Sequence, residues 1–137
     1  MAGRTFLDSN VLVYMFDGKY PEKSRKARAM YAGLDQVVLS TQVLQEFFWN
    51  VTMKLSPAMP QAAAMECVRD FSAHTVVVLD VETILAAIAR STTHRIAFWD
   101  GLIVEAALSA GCSRLLTEDL QDGRDFDGLK VENPFRA

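Results

Sequence analysis

The chain has 137 residues, 50% of them hydrophobic and 23% charged, with 14 Lys and Arg against 17 Asp and Glu for a net charge of −3. That is the size of one domain, able to bury roughly two thirds of its extended-chain surface, and the composition excludes disorder, collagen and coiled coil. No apolar run approaches the roughly 20 residues of a membrane span, and Cys67 and Cys112 make neither a disulfide framework nor a zinc pattern.

From the N-terminus, Met1 to Asp8 meets an acidic residue before any signal-peptide core can form, so a reducing, cytoplasmic setting is expected. Phe6-Leu7 reads as a short buried strand that ends in the polar turn Asp8-Ser9-Asn10. Val11 to Phe16 begins a short helix, punctuated by Asp17-Gly18. Pro21 opens a polar helix with Ala27, Met30 and Tyr31 facing inward, closed at Gly33. Val37-Val38-Leu39 is a second strand. Ser40 or Thr41 then caps a helix whose Val43, Leu44, Phe47, Phe48 and Val51 follow the helical period. Pro57 and Pro60 end it, and Gln61 to Phe71 forms another helix. Thr75 to Leu79 is a third strand. Asp80 or Thr83 leads into a helix through Ile84, Leu85 and Ile88. Phe98 to Ala110 is a further helix stopped by Gly111, before a fourth strand, Arg114 to Thr117. Leu129 to Glu132 adds a short edge strand.

Strands separated by helices, and apolar on both faces, mean a parallel sheet covered on each side. The expected fold is therefore α/β, three layers in one domain over residues 1–137. Charge is unevenly spread. Lys19, Lys23, Arg25, Lys26 and Arg28 face only Glu22, whereas Glu118, Asp119, Asp122, Asp125 and Asp127 face only Arg124. The first run reads best as a solvated basic helix face. The net negative charge argues against a protein that coats nucleic acid by charge alone.

In open parallel sheets, ligands bind beyond the carboxyl ends of the strands, where strand order reverses. Asp8 ends the first strand, Glu46 lies about one turn into the helix after the second, Asp100 opens the helix before the fourth, and Glu118-Asp119 follow the fourth. Carboxylates brought together repel unless a cation sits among them, and no Lys or Arg neighbours Asp8, Glu46 or Asp119 in sequence. All-oxygen ligands favour Mg²⁺ or Mn²⁺ over zinc, and such a site suits phosphodiester hydrolysis. Taken singly, each residue has a plainer role: Asp8 as a turn residue, Asp100 as a helix cap or first-turn acid, and Asp119, Asp122, Asp125 and Asp127 as loop acids. Glu46, among Val43, Leu44, Phe47, Phe48 and Trp49, needs a partner.

Four segments together are more specific. Phe6 to Tyr14 (FLDSNVLVY), Ser40 to Phe47 (STQVLQEF), Phe98 to Ala107 (FWDGLIVEAA) and Leu115 to Gly123 (LLTEDLQDG) resemble the four sequence blocks of PIN-domain proteins. In length and block order the chain is similar to VapC-type toxins of bacterial toxin–antitoxin pairs. The resemblance implies a PIN-like domain and a metal-dependent endoribonuclease held inactive by a cognate antitoxin. It places Asp8, Glu46, Asp100 and Asp119 as the catalytic, Mg²⁺- or Mn²⁺-binding set, with Glu46 a ligand or an orienter of the attacking water. Ser9 and Thr117 match assisting hydroxyl positions, and Asn10 a position that braces the loop. Gly101 stands where many relatives have Ala, which loosens the helix start. A homodimer, an RNA substrate and an antitoxin lying on Gln61 to Phe71 or on the basic helix are expected on the same ground, and no membrane.

Other readings are weaker. A haloacid-dehalogenase-like phosphatase needs a second Asp where Asn10 stands. A response-regulator receiver lacks its acidic pair and lysine, and a structure-specific DNA nuclease usually brings DNA-gripping segments. The rival from another class is an inactive PIN-like binding module, which a missing acidic ligand would favour. His74 and His94 receive no role, Trp49 and Trp99 are read as packing rather than base-stacking residues, with Trp99, before Asp100, able to do either, and Arg95 and Arg124 as candidate contacts to RNA phosphates or to an inhibitor's acidic tail.

Overall fold

The computed structural model describes residues 3–136, so residues 1, 2 and 137 of the expected domain lie outside the described residues. The elements run β1 (Arg4–Leu7), α1 (Ser9–Tyr14), α2 (Pro21–Ala32), β2 (Val37–Ser40), α3 (Thr41–Met53), α4 (Gln61–Phe71), β3 (Thr75–Val77), α5 (Val81–His94), α6 (Phe98–Ser109), β4 (Cys112–Leu116), β5 (Asp125–Phe126) and β6 (Leu129–Glu132). The strands form one sheet in the order β3-β2-β1-β4-β6-β5. All pairings are parallel except that of β5 with β6. The chain moves outward from β1 through β2 to β3, then returns to place β4 on β1's other side, so strand order reverses between β1 and β4.

Two groups of helices cover the sheet. α1 packs on α2 and α3, and α3 on α4, while α5 packs on α6, which lies over β2, β4 and β6. This is the expected α/β/α arrangement. Every residue of β2 is buried, as a strand covered on both faces requires. Phe6, Leu7, Leu39, Phe47, Leu115 and Leu116 form the centre of the core.

Local chemistry sets the boundaries. The Ser40 hydroxyl accepts from the Val43 amide, Asp80 accepts from the Thr83 amide, and Pro21 occupies the first turn of α2. Gly111 takes φ +71° at the tight exit from α6 into β4.

The sheet's far side departs from expectation. Leu129–Glu132 is interior, between β4 and β5, and the edge is the two-residue β5. Asp127 and Gly128 join them with φ of +53° and +97°, the geometry of a two-residue hairpin whose Asp-Gly signal the sequence carries. On the opposite rim, β3 stops at Val77, and Val78 beyond it is 71% exposed.

Gly101 also has a different meaning. A Cβ there would lie 2.8 Å from the Ala87 carbonyl oxygen, so glycine lets α6 press against α5 rather than loosening the helix start.

Candidate active site

Asp8 follows β1 directly, and Thr117 follows β4. Because Leu7 and Leu116 are register partners, the two polar residues leave the sheet side by side at the point of strand reversal. Asp8 is 4% exposed and caps α1, with Oδ1 accepting from the Ser9 amide at 2.7 Å. Its Oδ2 accepts from the Thr117 hydroxyl at 2.8 Å. That hydroxyl in turn accepts from the Asp119 amide at 3.1 Å and from Asn10 Nδ2 at 3.2 Å, so its one proton and both lone pairs are engaged. Asn10 Nδ2 also donates to Asp119 Oδ2 at 3.2 Å.

Asp8, Asp100 and Asp119 each place a carboxylate oxygen within 4.8 Å of the others. Asp100 is no cap. The N-cap of α6 is Ala97, and Asp100 lies in the helix's first turn. Burial pushes the Asp8 carboxyl up to about 7 and the charges of Asp119 and Glu46 add to this, against the opposing hydrogen bonds from Thr117 and Ser9. Asp100 is raised too, by burial first and then by Asp119 and Glu46. Among the described residues, none of these carboxylates forms an ion pair with Lys or Arg. Three hard oxygen donors with no cationic partner could hold a divalent metal ion.

Glu46 stands beside this triad rather than in it. Ser9 Oγ donates to its Oε1 at 2.9 Å, and Gln42 Nε2 to its Oε2 at 3.3 Å. An open groove of about 830 Å³ leads away from Glu46 and Asp119 past Tyr14, Tyr20, Trp49 and Lys54. The site thus brings together all seven residues expected of it, and adds Gln42. Gln42 had one signal in the sequence, its placement four residues before Glu46 on a helix.

A second cluster borders the groove. Tyr14 Oη donates to Glu118 Oε1 at 2.6 Å, and Lys23 Nζ donates to Glu118 Oε2 at 3.0 Å while lying 4.7 Å from the centre of the Tyr14 ring. Glu118 is thereby held apart from its neighbour Asp119.

The remaining expectations separate cleanly. Asp122, Asp125 and Asp127 are structural: they accept from the Asn133 amide, accept from the Gly128 amide, and pair with Arg90. Arg124 donates to the His94 carbonyl and covers the Phe126 ring, so it braces the hairpin, and Arg95 ends α5 with φ +55°. His74 bonds the Tyr31 hydroxyl at 2.6 Å. Trp49 and Trp99 are not buried as packing residues would be: they are 57% and 63% exposed, though Trp99 lies edge-on to Phe98.

No curated protein matches the chain. Among solved structures, a toxin–antitoxin complex from Klebsiella pneumoniae is similar over 97% of this chain and 99% of its own, at 17% identity and a TM-score of 0.72. VapC20 of Mycobacterium tuberculosis, described as a sarcin-ricin loop cleaving toxin, is similar over 81% and 86%, at 13% identity and a TM-score of 0.63. VapBC2 from Rickettsia felis, bound to a DNA fragment from its promoter, is similar over 95% and 98%, at 17% identity and a TM-score of 0.62. At such identities the likeness is one of fold. The sequence itself goes further, for a model of the PIN domain matches residues 5–126, a span that takes in Asp8, Glu46, Asp100 and Asp119, and the chain belongs to the PIN domain family.

Proposed function

We propose that this chain is a metal-dependent endoribonuclease and the toxin of a toxin–antitoxin pair. The observation that carries the reading is the convergence of Asp8, Asp100 and Asp119 within 4.8 Å, free of any basic partner among the described residues. The similar structures support it in kind, since one is described as a toxin–antitoxin complex and another as a toxin that cleaves the sarcin-ricin loop.

Asp8, Asp100 and Asp119 would hold Mg²⁺ or Mn²⁺. A divalent ion there would supply positive charge at the attacked phosphate and lower the pKa of water. The chain's own residues do the rest. Thr117 and the Ser9 amide hold Asp8 with both oxygens fixed, and Asn10 holds Asp119. Glu46, kept beside the triad by Ser9, accepts a hydrogen bond from the attacking water and aims it in line with the scissile bond. The groove past Tyr14, Tyr20 and Lys54 is the path for single-stranded RNA.

A partner surface fits the same reading. An almost wholly apolar groove of about 360 Å³ between α3 and α4 is lined by Leu44, Phe48, Trp49, Met65 and Val68, which suits an amphipathic helix of an antitoxin. No helix of the described residues is long and apolar enough to cross a membrane; we place the protein in the cytoplasm, where its RNA is.

The test is cleavage of total RNA by the purified chain with Mg²⁺ or Mn²⁺, against EDTA and an Asp8→Asn variant. Metal-dependent cleavage that the variant loses supports the reading. Absence of both cleavage and metal binding overturns it and leaves an inactive PIN-like binding module.

A further inference from the structure

Gln42 is the second residue of α3, one turn before Glu46, and only 5% of it is exposed. Its Nε2 donates to Glu46 Oε2 at 3.3 Å and to the Trp99 carbonyl at 3.2 Å. The Trp99 carbonyl has no hydrogen to give, so the amide has one orientation: its NH₂ faces this pair. The consequence falls on the other end, where Gln42 Oε1 is buried without a partner. A buried carbonyl left bare is destabilising, and a glutamine that merely filled space would be better replaced by an apolar side chain. What the side chain achieves instead is a connection between two elements of the site.

That connection matters because of what it reaches. Trp99 directly precedes Asp100, and the first turn of α6, though packed on α5 through Gly101, lacks a side-chain cap. Its N-cap, Ala97, offers no side-chain hydrogen bond, and the Trp99 ring points largely into solvent. Glu46 is held from the opposite side by Ser9, the neighbour of Asp8. Glu46 therefore sits between two tethers, one from the segment that carries Asp8 and one leading to the segment that carries Asp100.

We propose that Gln42 is a positioning residue, tying Glu46 on α3 to the first turn of α6 and so setting where Asp100 and Glu46 stand relative to the other two carboxylates. This rests on the metal-dependent nuclease reading of the site. It concerns a residue outside the seven that the sequence blocks mark.

The test uses the full chain, with Mn²⁺ itself as calorimetric probe and total RNA as the cleavage substrate. Gln42→Met keeps the length and removes the donor. Mn²⁺ affinity and cleavage rate are each expected to fall about tenfold, in the range known for groups that orient metal ligands. Its Tm in EDTA should stay within a few degrees of the parent. In a Glu46→Ala background, the same substitution should change Mn²⁺ affinity less than about threefold, because one of its two attachments is already gone. A purely structural role would give the same factor in both backgrounds. Gln42→Glu, with the parent's shape and an acceptor in place of the donor, repeats the measurement if Gln42→Met lowers the Tm. Parent-like affinity and rate, or equal factors in the two backgrounds, overturn the proposal. A parent chain that neither binds Mn²⁺ nor cuts RNA defeats the nuclease reading itself, and this inference with it.

Discussion

The Thr117 hydroxyl donates to Asp8 Oδ2 at 2.8 Å and accepts from the Asp119 amide at 3.1 Å, so one buried side chain sets two members of the carboxylate triad. It does so across the β1–β4 seam, where two neighbouring parallel strands lead into different helices and loops. The spacing of Asp8 and Asp119 is thereby tied to the register of the sheet.

Thr117→Val keeps the side chain's volume and removes this hub. Once Asp8 is ionised, a hydrogen bond to it contributes about 1.5–3 kcal/mol, and the loss should appear in chemical unfolding at about pH 8.5, above the raised Asp8 value. Cleavage should fall about 10- to 100-fold, since the group that orients Asp8 is gone. Thr117→Ser, which restores the hydroxyl, should recover most of both. A Val variant with parental activity would show that the hub is not needed.

In the metal-free chain, stability should fall as pH rises, through Asp8. Its folded carboxyl keeps a proton up to about pH 7, against an ordinary value of 3.8. Between those values the folded state binds more protons than the unfolded state, so raising the pH favours unfolding. The contribution is fully present below the ordinary value and is lost by the time the pH passes the folded one. Its slope is about 1.4 kcal/mol per pH unit. Guanidinium unfolding in EDTA at about pH 5.5 and pH 7.5 should show the parent losing about 2 kcal/mol relative to Asp8→Asn. Mn²⁺ should reverse the trend. A pH-independent difference between the two proteins would contradict this.

Gly101→Ala tests the contact between α5 and α6. Alanine is the better helix former by about 1 kcal/mol, but its Cβ would meet the Ala87 carbonyl oxygen at 2.8 Å. Backbone cannot yield as a side chain tip does, and overpacking of this kind costs about 1–3 kcal/mol. A lower Tm is expected, with slower cleavage as the adjoining Asp100 is displaced. A raised Tm would mean that the helices part without cost.

If the chain forms the homodimer expected from its family resemblance, the outer face of α5 and its approach should mediate it. Val78, Val81, Leu85 and Ile88 are 71%, 69%, 60% and 49% exposed, and the last three recur at helical spacing on α5. Leu85→Lys should convert a dimer to a monomer by light scattering, with little change in the Tm of the monomer. A parent that is monomeric at high concentration would refute the dimer.

Much of this was legible in the chain. Caps and periodicity placed α3 and α4, because Ser40, Pro60 and the spacing of Val43, Phe47 and Val51 act locally. The convergence of Asp8, Asp100 and Asp119 could be anticipated because Asp8 and Asp119 follow the two strands that flank the reversal and Asp100 lies in the first turn of α6. What escaped depends on distance in sequence. Gln42 meets a backbone carbonyl 57 residues away, which no pattern announces. Trp49 and Trp99 follow the apolar residues of their helices, and periodicity tells which way a face points but not whether anything covers it. Leu129–Glu132 read as an edge because β5 is only two residues long, below the length at which alternation can be seen.

The brevity of that strand has an effect beyond the sheet itself. One rim ends in β5 and the other in β3, of two and three residues. Neither offers enough open backbone for a foreign strand to zip onto, a common route to amyloid-like growth. A protein with several oily helix surfaces needs such protection most. Contact with other chains is thereby channelled to side chains, which can tell one partner from another, and away from peptide groups, which cannot.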